Sequence, residues 1–126
     1  MKRLWLGICI FAALVAVCVG ALGMLGARNS QTAALLAQAQ AAQARDDRGE
    51  ALRCSHDALV CWEKNAGFID TIMTHEETDE IHRTFSDLLV YAESDERDEF
   101  RAACARLLCM VEHLTEMERP LWRNIL

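Results

Sequence analysis

The run LWLGICIFAALVAVCVGALGMLGA, residues 4–27, decides how the rest of the chain is read. None of its 24 residues is charged; twenty are hydrophobic and the other four are glycine. At about 1.5 Å per residue it makes a helix of roughly 36 Å, enough to cross a hydrocarbon core of about 30 Å with some tilt. It is apolar on every side, as a lipid-facing helix must be. Lys2 and Arg3 precede it and Arg28 alone follows closely. The positive-inside rule therefore puts the amino terminus in the cytoplasm and everything after residue 27 outside. A cleaved signal peptide is the rival reading. Its apolar core is normally about 7–15 residues, shorter than this one, although Ala21 and Gly23 offer small residues at the −3 and −1 positions of a cut. A lipoprotein site at Cys18 is disfavoured by Val17, which stands where a small residue is expected. Gly20, Gly23 and Gly26 are spaced by three, not by the four of a GxxxG helix contact. The segment reads as a plain anchor.

Working outward, the remainder has a different composition. The whole chain of 126 residues is 52% hydrophobic with a formal charge of −6, but all 19 acids and 11 of the 13 basic residues fall in the last 99, which puts that part at −8. Ninety-nine residues make one small domain, not two. Its acidity excludes a nucleic-acid binder, which needs a basic face for phosphate. A single proline in the chain argues against a Pro-rich linker or a disordered tail.

Gly26-Ala27-Arg28-Asn29-Ser30 reads as a softened junction, with Ser30 available as an N-cap. The stretch QTAALLAQAQAAQAR that follows is rich in the helix formers alanine and glutamine, and its shallow apolar side invites a close neighbour. A turn at Asp46–Gly49 leads to a second helix, about Glu50 to Lys64, with Ala51, Ala58 and Trp62 on one side and Leu52 and Leu59 beside them. Asn65-Ala66-Gly67 supplies a stop. At 100° per residue the apolar patch of Phe68, Ile69, Ile72 and Met73 points nearly opposite to Ile81, Phe85, Leu88 and Ala92, so a restart is needed. Thr74-x-x-Glu77 is a capping box that provides it, and a third helix is expected from His75 to about Glu93. After a turn at Ser94-Asp95, a fourth runs from about Glu96 to Arg119 with the stripe Phe100, Ala103, Leu107, Met110, Val111, Leu114 and Leu121. Pro120 is expected to end it, and the tail Leu121–Leu126 either folds back onto the Phe68–Met73 patch, the favoured reading, or forms an exposed anchor for a partner. An offset of 49 residues pairs Glu50-Ala51 with Glu99-Phe100, Ala58 with Leu107 and Trp62 with Val111. The expected fold is all-α: an N-terminal single transmembrane helix over residues 1–27, then an acidic domain over 28–126. That domain is expected to be a small antiparallel bundle of about four helices, built as two helical hairpins and tetratricopeptide-like at most.

Chemistry is sparse. His75-Glu76-Glu77-Thr78-Asp79 approaches the zinc-protease string H-E-x-x-H, but Asp79 stands where the second histidine belongs. His75, Asp79 and His82 at i, i+4 and i+7 share a helix flank and are the candidate metal ligands. The bland alternative is a capped acidic first turn. A dimetal carboxylate bundle would need two E-x-x-H units, and only one D-x-x-H pair, Asp79 and His82, is present. Cys109 and His113, at i and i+4, form a second and weaker pair. Of the six cysteines, Cys54 and Cys61, seven apart on one helix, stand about 10 Å apart, too far to bond, and Cys104 and Cys109 point to different faces. Only a bond between helices, Cys54 or Cys61 to Cys104, is geometrically open. The acidic clusters lack the calcium-loop pattern, and no nucleophile motif, phosphate loop or glycine-rich fingerprint occurs.

The MKRLWLGI start, His75-Glu76-Glu77 with Asp79-Glu80-Ile81, the turn at Tyr91–Ser94, Glu112-His113-Leu114 and the terminal Asn124-Ile125-Leu126 together resemble a family of short bacterial proteins. That family is found mainly in clostridial Gram-positive bacteria and is described as a domain of unknown function. The likeness covers nearly the whole chain. It implies a single anchor and a helical domain, and it carries no activity or site. The richness in cysteine and alanine departs from that pattern.

These residues lead to an expectation of a non-enzymatic, membrane-anchored helical protein of the cell membrane, without a cofactor. Its expected partners are the membrane itself and another membrane or envelope protein, or a second copy of the chain. The alternative is a metal-binding or metal-sensing domain using His75, Asp79 and His82.

Overall fold

A computed structural model describes residues 1–69 and 73–125, without the side chains of Leu25, Phe68, Thr115 and residues 117–125. The regular structure in them is helical throughout: α1 (Lys2–Ala44), α2 (Arg48–Ile69), α3 (His75–Ser94) and α4 (Arg97–Ile125). The all-α class is as expected, and α1 carries a stretch long and apolar enough to cross a membrane.

Three helix ends differ from the sequence expectation. The anchor, the junction and the first domain helix are one helix of 43 residues. Gly26 costs a helix only about 1 kcal/mol, Asn29 and Ser30 cost tenths, and alanine and glutamine on the far side favour continuation. Packing adds to this, since Asn29, Thr32, Leu36, Ala39 and Ala42 form one buried face along the helix. Ser30 is an exposed mid-helix residue, not a cap. α2 likewise runs through Asn65-Ala66-Gly67 to Ile69. Asn65 and Ile69 are buried, so ending the helix at Lys64 would leave them without a face to pack on. Gly67 does not take the left-handed conformation that a stop requires. α4 passes Pro120 and reaches Ile125. Proline removes one N–H bond and crowds one turn, about 3 kcal/mol, and its own φ is helical. Of the Phe68–Met73 patch, Ile69 is buried and Met73 half-buried. Its expected contact with the tail falls on side chains outside the described residues.

The restart before α3 is present. Thr74 is the N-cap of a capping box, in which the Glu77 carboxylate accepts from the Thr74 N–H at 3.4 Å and from its hydroxyl at 2.9 Å. This orders the first turn of α3 and explains why acids stand there.

α1 packs on α2 and α4, and α3 packs on the same two helices from the other side. Short turns join α1 to α2 and α3 to α4, and these two turns meet at one end. Asp46 pairs with Arg97, while Arg48 pairs with Asp95 at 3.7 Å and donates to the Glu93 carbonyl at 2.6 Å. At the opposite end Arg28 of α1 bonds Asn65 of α2, so adjacent helices run in opposite directions. The two halves correspond at the offset of 49. Asp46 and Asp95 both adopt the left-handed conformation, with φ of 60° and 59°. α2 starts at Arg48 and α4 at Arg97, and each arginine pairs with the aspartate of the other half.

The core repeats the same relation. Leu36 and Phe85, Ala39 and Leu88, Ala51 and Phe100, Ala58 and Leu107, and Trp62 and Val111 are all buried. In four of these five pairs the smaller residue lies on α1 or α2 and the larger on α3 or α4; in the fifth, Trp62 exceeds Val111. The exposed ion pairs contribute about 0–1 kcal/mol each; the packed interior carries the stability. Ala39 is fully buried and Ala41 exposed. Ala39→Leu should therefore lower unfolding stability by about 1–3 kcal/mol through overpacking. Ala41→Leu should change it by less than about 0.5 kcal/mol. Urea denaturation of the detergent-solubilised chain, followed by circular dichroism, measures both.

Candidate functional site

Along α1 the surroundings change abruptly. Leu4, Trp5, Leu6, Ile8, Ile10, Phe11, Leu14, Val15, Val17 and Val19 are all exposed, so nothing in the described chain covers them. Asn29 is the first buried residue on the helix among the described side chains, and from it onward α1 is a wall of the helical domain. The chemistry concentrates at this transition, between α1 and the last turns of α2.

Arg28 reaches across to α2, where its Nη1 donates to the Lys64 carbonyl at 3.2 Å and to Asn65 Oδ1 at 3.1 Å. Carbonyls near a helix C-terminus carry partial negative charge, and the last turn of α2 has no basic residue of its own. Arg28 supplies one from the neighbouring helix. The Arg28 carbonyl in turn accepts from the Thr32 hydroxyl at 3.0 Å and from the Cys61 thiol at 3.6 Å. Around these bonds lie polar atoms with none: both side-chain atoms of Asn29, Trp62 Nε1 and Asn65 Nδ2 are buried without a hydrogen-bond partner. Each such group costs about 1–3 kcal/mol. Beside them a surface groove of about 410 Å³ runs between the helices, lined by Arg28, Gln31 and Leu35 of α1 and by Asp57, Val60, Cys61 and Lys64 of α2.

The residues singled out by the sequence lie elsewhere. His75 and Asp79 are exposed and His82 is half-buried, all on α3; Cys109 and His113 are exposed on α4. Among the described residues, no three or more His, Cys, Asp or Glu side chains gather closely enough to hold a metal ion.

All six cysteines are free. Burial pushes the Cys104 thiol up to about 12, and burial followed by the nearby Glu50 carboxylate raises Cys54. Glu50 itself is held below the usual carboxylate range by its hydrogen bond from Arg53. Neither buried thiol is a nucleophile at neutral pH.

Asn29 and Asn65 were misplaced by the sequence reading, one into a junction and the other into a stop. The signal that would have found Asn29 is its spacing. Asn29, Thr32, Leu36 and Ala39 fall at i, i+3, i+7 and i+10, a polar start to an otherwise apolar helical face.

Two outcomes follow from these environments. Asn29→Leu removes two buried atoms without partners and keeps the branched shape of the side chain, so it should raise stability by about 1 kcal/mol, read by the same denaturation. A fall in stability would mean that the amide is satisfied in solution. Cys104 keeps its proton when folded, so its contribution to stability is complete below the ordinary thiol value of 9.0 and is lost as pH rises towards about 12. Maleimide labelling at pH 8 should modify Cys109 in the folded chain and reach Cys104 only on unfolding.

A family model described as a domain of unknown function, DUF4363, matches residues 23–125. The match takes in α2, α3, α4 and the packed part of α1, and it leaves out most of the exposed apolar stretch. No curated protein and no solved structure matches the chain. With the match extending over most of its length, from just before the α1–α2 contact to the end of α4, the chain belongs to the DUF4363 family.

Proposed function

We propose that the protein is a non-enzymatic, single-pass membrane protein. Residues 1–27 form its anchor, and its helical domain, residues 28–126, binds a protein partner at the outer face of the cell membrane. The partner is another membrane or envelope protein, or a second copy of the chain. The observation that carries the reading is the division of α1. Its first half exposes large apolar side chains continuously, and its second half is a packed wall of a helical domain. Exposed apolar surface on that scale is unfavourable in water by about 25 cal/mol per Å² and is met by lipid. Lys2 and Arg3 before the anchor support a cytoplasmic amino terminus. A metal-binding role for His75, Asp79 and His82 is the competing reading, and no contact of these three favours it.

Alkaline carbonate extraction tests the anchor: the full chain should stay with the membrane pellet, and a chain lacking residues 2–27 should leave it. A full chain released by carbonate would overturn the reading. Purification from detergent tests the binding role. A co-purifying protein or a stable dimer is expected, and a monodisperse monomer with nothing bound would count against it.

A further inference from the structure

We infer that the groove between α1 and α2 holds the phosphate of a membrane phospholipid headgroup, gripped by Arg28 and Lys64. The inference deepens the membrane reading above and rests on it. Its first ground is position. The helix is unbroken from Lys2 to Ala44, so Arg28 follows the apolar run with no joint between them. A span that fills the hydrocarbon core leaves this residue at the level of the lipid phosphates.

Charge is the second ground. Arg28 and Lys64 line the same groove, one from each helix. The acid that shares it, Asp57, is engaged by Arg53 at 3.1 Å, a guanidinium that Glu50 also holds, and the two cations lining the groove outnumber this one acid. A domain of net charge −8 repels anions in general, which makes two cations facing one groove at its membrane end a local exception. The third ground is preorganisation. Arg28 is held by Lys64 O and Asn65 Oδ1, leaving the rest of the guanidinium fork for an anion, and arginine matches phosphate geometry well. The amide that holds it is 3% exposed, and its Nδ2 has no partner, so one donor of the residue that holds Arg28 remains unused. Gln31 adds a neutral polar group on the groove wall.

The test uses the full chain in detergent, with native mass spectrometry to count retained lipids. The probes are phosphatidylglycerol and diacylglycerol, which share acyl chains and differ in the phosphate. Phosphatidylglycerol should be retained and diacylglycerol should not. Lys64→Glu should weaken retention about tenfold, since one charge-assisted contact is lost. Arg106→Gln, the loss of an exposed cation on α4, should leave it unchanged. Lys64 meets α1 through its backbone carbonyl, which accepts from Arg28 and is kept in the variant, so the variant should unfold as the parent does. Inorganic phosphate as competitor separates the sources: displacement of the lipid at low millimolar phosphate would assign the groove to the free ion and overturn the lipid inference. Equal retention by Lys64→Glu and Arg106→Gln, or equal retention of the two probes, would also overturn it. A chain that resists carbonate extraction yet shows no phosphate preference loses this inference alone. A chain released by carbonate loses the membrane reading with it.

Discussion

The rest of the structure depends on the continuity of α1. One hydrogen-bonded ladder of 43 residues serves as the apolar stretch and as a wall of the helical domain. The two parts therefore have a fixed rotation and a fixed distance along one axis. A flexible junction would have let the domain tumble at the end of a tether. A helix instead fixes which face of the domain is turned towards the apolar stretch, and it places Arg28, Asn29 and the end of α2 there. Any tilt of the apolar half is carried directly into the packed half, because the helix is unbroken and a close-packed interior passes on displacement.

Close approach of α1 to its neighbours follows from side-chain size. Ala39, Ala42, Ala51 and Ala58 are buried and let α1 and α2 lie near each other, while Phe85, Leu88, Phe100 and Leu107 fill the other half of the core. Residues 49 apart occupy matching places in the two halves, yet their volumes differ. The repetition lies in backbone and charge pairing more than in side chains. It is clearest at the turns, where an aspartate in the left-handed conformation precedes an arginine that pairs with the opposite turn. Aspartate tolerates that conformation better than most residues, because its short side chain bonds locally.

The acidity of the domain has a structural explanation at many positions. Glu50, Glu76, Glu77, Asp98 and Glu99 stand in first turns, where the helix dipole favours negative charge. Asp46 and Asp95 serve the turns. Histidines at His75 and His113 are exposed, and the Cys54 and Cys104 thiols are kept protonated by burial. The polar residues that do not fit this account are Asn29 and Asn65, at the end of the α1–α2 contact nearest the apolar stretch. They are also the ones whose burial leaves atoms without partners.

Much of the architecture was legible from composition and period alone. The uncharged run at residues 4–27, the capping box at Thr74–Glu77 and the stripes through Ile81–Ala92 and Phe100–Leu114 are local properties, set by side-chain hydrophobicity and the 3.6-residue turn. They determined an all-helical chain with one segment apolar enough for a membrane. Helix ends were decided by the tertiary structure. Gly26, Asn65-Ala66-Gly67 and Pro120 each weaken a helix by a few kcal/mol at most, and burial of Leu36, Ala39 and Ala42 on α1 and of Ile69 on α2 against neighbouring helices outweighs the first two. The candidate site was hidden for the same reason. Arg28 and Lys64 are 36 residues apart in sequence, and only the antiparallel packing of α1 on α2, which no local period encodes, brings both cations to one groove.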